Sequence, residues 1–352
     1  MLVLGIESSC DETAAAVVED GNRILSNVIS SQISIHSRYG GVVPELAARQ
    51  HLEAILPVTE KALESAGVDL ENIDLIAVTQ GPGLIGALLV GMAAAKAISY
   101  VSQKPLVGVD HLYGHIQSAF LSVHPIIFPL LLLVVSGGHT SLFWSDEIGS
   151  YRLLGNTRDD AAGEAFDKVS KMLGLGYPGG IVIDRLAADG NPRAIPFPRA
   201  FLGTGSYDFS FSGIKTAVAN FVHQYGKPGE NSKYRLFRLE DLAASFQEAV
   251  VEMLMEKSFE AARDFHVRDI AIVGGVASNS RLRKRFIEEG DYQDIRVHLA
   301  PLEYCTDNAA MIAAAGYYKY LKEGPEEAPW ELDAYSRHLE TPVTKIRKHK
   351  RG

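Results

Sequence analysis

The sequence predicts a two-lobed α/β protein assembled from a duplicated unit, and three observations predict it. At 352 residues the chain exceeds what one hydrophobic core usually supports, so two lobes of about 100–200 residues each are expected, with a cleft between them. Two apolar strand-like runs each break into a turn of small polar residues: Leu2–Ile6 into Glu7-Ser-Ser-Cys-Asp-Glu-Thr13, and Pro129–Val135 into Ser136-Gly-Gly-His-Thr140. Beyond each turn the same order recurs, short strands first and helices after.

In the first half, Ala14–Val18 and Arg23–Ser31 are strand-like runs that with Leu2–Ile6 suggest three antiparallel strands. A helix is predicted from about Pro44 to Ala66, then a strand at Asp74–Thr79, the Gly81–Gly83 turn, and an apolar helix from Leu84 to Val101. That last run approaches the roughly 20 apolar residues a membrane span needs. Lys96, the Gly and Ala content and the lack of flanking basic clusters favour a buried helix instead.

In the second half, strands are predicted at Ser141–Trp144, Tyr151–Leu154 and Asp269–Val273, the last leading into the turn Gly274–Ser280. Helices are predicted at Ala161–Leu173, Leu242–Asp264, Arg281–Glu289 and Asp307–Leu321. Pro192–Gly213, rich in Pro, Gly, Phe and Ser without a helical period, reads as a long loop near the cleft. The end of the chain after Gly324, closing on Lys345-Ile-Arg-Lys-His-Lys-Arg-Gly352, reads as a peripheral, partly disordered basic tail.

Composition narrows the class of function. A hydrophobic fraction of 47% and a charged fraction of 22% describe a globular protein. Two distant cysteines, Cys10 and Cys305, draw no disulfide framework and fit a reducing compartment. The N-terminus runs directly into a strand without the basic region and cleavage site of a secretory signal, so a cytoplasmic protein is expected. The formal net charge of −9 argues against non-specific nucleic-acid binding by the chain as a whole, so an RNA role needs local basic patches or a partner.

The sharpest local feature is His111-Leu-Tyr-Gly-His115, because residues at i and i+4 share a helix face and two imidazoles there reach one metal ion. A chance surface pair explains the spacing equally well. A zinc protease would place Glu directly after the first His, where this chain has Leu112. Asp307, at a loop-to-helix junction, is a candidate third ligand or simply an N-cap. The turns at Ser136–Thr140, Gly179-Gly180 and Gly274-Gly275 could bring backbone N–H groups to phosphate oxygens; each alone is also an ordinary tight turn. Asp11, Glu12, Asp159, Asp160, Glu164, Asp167 and Asp184 gather around these turns as Mg²⁺ or hydroxyl ligands would, and as solvated helix faces would too. Arg281, Arg283, Lys284 and Arg285 read as a solvated face first and an RNA contact second.

Nine motifs in order carry a resemblance from Gly5 to about Tyr320: Gly5-Ile-Glu-Ser-Ser-Cys-Asp-Glu-Thr13, Gly40-Gly-Val-Val-Pro-Glu-Leu-Ala47, Gly81-Pro-Gly-Leu84, His111–His115, Val135-Ser-Gly-Gly-His-Thr140, Asp159-Asp-Ala-Ala-Gly-Glu-Ala-Phe-Asp-Lys168, Tyr177-Pro-Gly-Gly180, Asp208-Phe-Ser-Phe-Ser-Gly213 and Gly274-Gly-Val-Ala-Ser-Asn279. The sequence resembles the TsaD-type tRNA threonylcarbamoyl transferases, in their bacterial form. The resemblance implies an actin/Hsp70/sugar-kinase-like fold of two duplicated RNase H-like lobes. Residues 1–110 would form the first lobe, completed by about 307–324; residues 111–306, with the loop 192–213, would form the second; 325–352 would be the peripheral basic tail.

The implied reaction moves a threonylcarbamoyl group from threonylcarbamoyl-AMP to N6 of the adenosine 3′ to the anticodon, in tRNAs reading codons that begin with adenine, and releases AMP. By motif, His111, His115 and Asp307 resemble ligands of one iron or zinc ion per subunit. Val134, Val135, Ser136, Gly137, Gly138, Asp167, Gly180, Asp184 and Asn279 resemble the adenylate contacts, with Mg²⁺ a further cofactor beside a bound nucleotide. Asp11, Glu12 and His139 are catalytic or phosphate-proximal candidates. The implied partners, besides tRNA, are a smaller paralogous subunit of the same fold (TsaB-type) and a P-loop ATPase (TsaE-type), with no membrane. Two positions depart from the pattern: Asp110 stands where many relatives carry His, and Val134 where archaeal-type proteins supply a metal-bound tyrosine. The alternatives are a kinase of the same fold, in which the histidine pair has no task, a metalloprotease, and a binding module that anchors partners.

Overall fold

The computed structural model describes residues 1–121, 126–200, 203, 205–226 and 238–337. The first sheet is built from β1 (Leu2–Glu7), β2 (Glu12–Glu19) and β3 (Arg23–Ser31), followed by the short helix α1 (Ile33–His36), the long α2 (Pro44–Ala66), β4 (Leu75–Gly81), α3 (Ile85–Ser102) and β5 (Leu106–Asp110). The chain then passes through α4 (His111–Ser118) into β6 (Leu130–Val135), β7 (Thr140–Glu147) and β8 (Ser150–Asn156). Helices α5 (Ala162–Leu173), α6 (Gly179–Ala187), α7 (Ser212–Tyr225) and α8 (Leu239–Asp264) lead to β9 (Asp269–Val273), α9 (Ser280–Gln293), β10 (Arg296–Leu299) and α10 (Ala309–Glu323).

The two sheets have one topology. The first has the order β3-β2-β1-β4-β5 and the second β10-β9-β6-β7-β8, the same order read from the other edge. In each, the three leading strands are antiparallel and the last two join in parallel beside the first. Duplication of an α/β unit is therefore visible in strand order and direction, in agreement with the expected actin/Hsp70/sugar-kinase-like class.

Alternation along the first sheet sends side chains to two separate cores. Leu4, Ile6, Val17, Ile76 and Val78 face Ile55 of α2 and Ala95 of α3. Val3, Ala16, Val18, Leu75 and Ala77 face the opposite way, onto Ala309, Ala310 and Ala313 of α10. This second contact is close: a Cβ on Gly5 would lie 2.3 Å from the Ala309 carbonyl oxygen. Helix α4 sends Leu112 and Ile116 into the core of the second lobe, while Gly114 meets Ile312 and Met311 of α10. Helices α4 and α10 thus lie between the two sheets.

Three sequence expectations change in detail. Helix α3 is the helix among the described residues that is long and apolar enough to cross a membrane, and only a third of that window is buried. Instead of a fully buried helix it has an open side carrying Ile85 and Leu89, because α2 covers one flank only; its Lys96 donates to the carbonyls of Trp330 and Leu332 at 3.0 and 2.7 Å. The basic cluster of α9 is largely tied down. Arg281 and Arg285 both meet the buried Glu248 of α8, and Arg283 donates to the carbonyls of Ala277 and Ala300, so Lys284 alone keeps a solvated setting. Residues 325–337 are not peripheral but strap the first lobe, with Glu326 N donating to Leu106 O at 3.1 Å and Tyr335 N to Gln80 O at 3.2 Å. The basic run 345–352 and part of the predicted loop 192–213, namely 201, 202 and 204, lie outside the described residues.

Candidate metal centre and interlobe cleft

Strand β5 ends at Asp110, whose carboxylate caps α4 by accepting Leu112 N at 2.8 Å and Tyr113 N at 3.3 Å. The helix so started presents His111 and His115 on one face, both buried, with ring centroids 4.6 Å apart. The loop before α10 brings in Asp307: its Oδ1 lies 3.5 Å from His111 Nε2 and 3.1 Å from His115 Nε2. One ligand atom from each of the three residues fits within 4.8 Å of the others. Asp307 is not the cap of α10; Asn308 is, accepting Met311 N at 3.0 Å. Its carboxylate is thereby left for the histidines.

Glu7, at the end of β1, completes the arrangement. Its Oε2 sits 3.1 Å from His111 Nδ1 and accepts Thr79 Oγ1 at 2.7 Å, while Oε1 accepts Ser9 N at 2.5 Å. A carboxylate on Nδ1 fixes the tautomer that leaves Nε2 as a ligand atom, the usual outer partner of a metal-bound histidine. His115 carries the clearest signal. It is fully buried, yet neither ring nitrogen makes a hydrogen bond, its approach to Asp307 being out of alignment. An orphaned buried polar group costs about 1–3 kcal/mol, which a metal ion at this point would remove.

Electrostatics show what the cluster does with protons. Burial opposes the charge on His111, but Asp307 and Glu7 outweigh it and push the imidazole up to about 9. Burial likewise opposes the charge on Asp307, yet His111 and His115 hold its carboxyl well below the usual carboxylate range. His139 goes the other way: burial, with His111 and His115 adding, pushes it down to about 4, so it is neutral.

The glycine turns form the second wall. In the turn after β6, Ser136 N donates to His139 O at 2.8 Å and His139 N to Ser136 Oγ at 3.2 Å, which leaves Gly137 and Gly138 exposed. A Cβ on Gly137, Gly138, Gly180 or Gly275 would meet nothing within 4 Å, so all four face open space. Asp167 accepts Gly179 N at 2.6 Å, locking α5 to the start of α6. Asp184 accepts Ser280 N and Oγ at 3.1 and 2.8 Å, locking α6 to α9. Asn279 caps α9 through Leu282 N and donates to Gln247 of α8 at 2.9 Å. Val134 and Val135 are fully buried in β6.

Across the cleft, Tyr177 of the second lobe approaches Asp11 of the first at 3.5 Å. Burial raises the carboxyls here, Asp167 to about 6 and Glu12 to about 8, with Asp11 also raised. Asp159 and Asp160 serve elsewhere. Asp159 accepts from Ser210, Phe211 and Ser212 and so holds the 208–213 motif, while Asp160 pairs with Lys168 of α5 and Lys215 of α7 and ties those helices together.

Solved structures share this architecture. Component A of (R)-2-hydroxyglutaryl-CoA dehydratase from Acidaminococcus fermentans matches with a TM-score of 0.53 at 15% identity, over 91% of this chain and 99% of that one. Full-length HypF in a phosphate- and nucleotide-bound form matches with a TM-score of 0.60 at 13% identity, over 92% and 47%. At such identities the likeness concerns the fold alone. Duplicated lobes of this kind, joined at a cleft, define an actin/Hsp70/sugar-kinase-like protein. A finer match follows from sequence. The profile described as "TsaD: tRNA N6-adenosine threonylcarbamoyltransferase" covers residues 23–314. A Syntrophobacter fumaroxidans protein of that description is 59% identical over 96% of this chain and 99% of its own length, and one from Moorella thermoacetica is 52% identical over 94% and 95%. The chain belongs to the TsaD family of tRNA N6-adenosine threonylcarbamoyltransferases and is a transferase that modifies tRNA.

Proposed function

We propose that the chain moves the threonylcarbamoyl group from threonylcarbamoyl-AMP to N6 of the adenosine 3′ to the anticodon, in tRNAs whose codons begin with adenine, with His111, His115 and Asp307 holding one zinc or iron ion. The observation that carries the metal assignment is the fully buried His115 imidazole, which makes no hydrogen bond and holds Nε2 3.1 Å from the Asp307 carboxylate beside His111. Two imidazoles and a carboxylate suit either metal. The bound ion would supply a Lewis acid for a carbonyl or phosphate oxygen of the donor.

The chain's own residues supply the remainder. Gly137, Gly138 and Gly180, where a Cβ would meet nothing, leave room for the adenylate to approach the backbone, with N–H groups as phosphate donors. Asp167, Asp184 and Asn279 hold the helix ends that frame this space, and Val134 and Val135 seat the turn from within the core. As N6 bonds to the carbamoyl carbon and the bond to the phosphate oxygen breaks, the amine proton needs an acceptor. Neutral His139 and Asp11 are the two we assign as alternatives, and Glu12 with Asp11 offers oxygen ligands for Mg²⁺ beside the nucleotide.

The exposed apolar residues Leu52 and Leu56 of α2, beside Ile85 and Leu89 of α3, support a docking face for the smaller paralogous subunit. The net charge of −9 supports the same reading, since RNA affinity must come in part from a partner. A P-loop ATPase subunit and a cytoplasmic setting complete the proposal. The test of the donor is product analysis: unmodified tRNA, threonylcarbamoyl-AMP and the partnered enzyme should yield modified adenosine and AMP in equal amounts. Modified adenosine without matching AMP would overturn the assignment of donor.

A further inference from the structure

We propose that Tyr335, in the strap formed by residues 325–337, is a positioning residue that fixes the orientation of the metal-bearing helix α4 through the carboxylate of Asp110. The inference rests on the reading of His111, His115 and Asp307 as metal ligands.

The side chains of α4 divide by helical geometry. His111 and His115 share one face, and Tyr113 and Gln117, each two residues further on, fall about 200° away on the opposite one. That opposite face packs only in part, with Tyr113 against Phe143 and Tyr151. It borders a cavity of about 430 Å³ lined also by Gly108, Tyr151, Tyr318 and Tyr335, and the buried Gln117 leaves its Nε2 without a hydrogen-bond partner there. Packing on this side is therefore incomplete, although seven of the eight residues of the helix are buried.

Asp110 supplies a further constraint. Its Oδ1 accepts the first free N–H groups of α4, and its Oδ2 accepts the Tyr335 hydroxyl at 2.5 Å. Asp110 is thus held from outside the helix it caps. Tyr335 in turn is seated by its own backbone: its N–H donates to Gln80 O, and a Cβ on Gly81 would lie 2.2 Å from its carbonyl oxygen and 2.8 Å from its ring. Upstream, Lys96 grips the strap at Trp330 and Leu332, and Gln80 Nε2 donates to Asp333 O at 2.9 Å. Hydrogen bonds therefore run from β4 and α3 through the strap to the cap of α4, the helix that carries both histidines.

The experiment compares native protein with Tyr335→Phe, which keeps the ring and removes one hydroxyl. Two quantities are measured on the full chain: zinc affinity by competition with a chromophoric chelator, and hydrogen exchange at the Leu112 and Tyr113 amides in metal-free protein. The expected result is faster exchange at both amides and zinc binding weakened about tenfold, the lower edge of what outer-shell changes cost, with an unchanged melting temperature. Asp110→Asn, which keeps an oxygen for the cap, should fall between native and Tyr335→Phe in both. Exchange and affinity within twofold of native in Tyr335→Phe would overturn the proposal. Failure of native protein to bind zinc would instead sink the metal reading, and the exchange arm would still decide whether Tyr335 orders α4.

Discussion

A completely buried carboxylate is costly unless its oxygens are used, and Glu7 uses both, one of them on His111 Nδ1. Glu7→Gln removes that charge at nearly constant shape, and metal affinity is expected to fall about 10- to 100-fold, read by chelator competition. Asp167 makes the second prediction at this scale. Burial raises its carboxyl to about 6 against an ordinary 3.8. A folded-state value raised in this way favours folding at pH below 3.8 and loses that contribution as pH rises through about 6. Asp167→Asn should therefore melt above the native protein at neutral and alkaline pH, with the gap closing towards pH 4; a gap independent of pH would contradict the assignment. The sequence displayed the histidine pair through its spacing, but it did not expose Glu7, whose partner is 104 residues away. Nor could it separate Asp307 from Asn308 as cap and ligand, because adjacent acid and amide side chains serve equally at a helix start.

Long elements were legible, and of the short ones β9, an apolar run before a glycine turn, was readable while β5 and β10 were not. Arg23–Ser31 and Pro44–Ala66 fall where alternation and a leading proline put them. Five-residue β5 and four-residue β10 escaped because neither is long enough to show a period between its flanking helices. Helix α6 opens on Gly179 and Gly180, poor helix formers, and was hidden by them. Helix α3 was legible as apolar and misjudged as buried, since its uniform Ala, Leu and Gly content conceals which side faces out. That open side carries a prediction. If the proposed smaller paralogous subunit docks there, Leu52→Glu with Leu89→Glu should abolish pairing with it in sedimentation velocity while leaving the circular dichroism of the chain unchanged. Pairing at native strength would place the docking face elsewhere.

At the scale of the whole molecule, the duplication was readable because both halves open on an apolar strand that breaks into a polar turn. The strap was not, since residues 325–337 carry aromatic and acidic side chains without a period, and their anchors lie at Gln80, Lys96 and Leu106. The two sheets hold α4 and α10 between them, and the packing of these helices on one another brings His111 and His115 beside Asp307. The measurement that tests this account most directly restores zinc or iron stepwise to chelator-stripped, partnered enzyme while modified adenosine is counted by nucleoside mass spectrometry. Activity should rise to a plateau at about one ion per chain and stay at background for His115→Ala across the same titration. Full modification by the stripped enzyme, or by His115→Ala, would contradict the claim that this buried cluster is the working metal site.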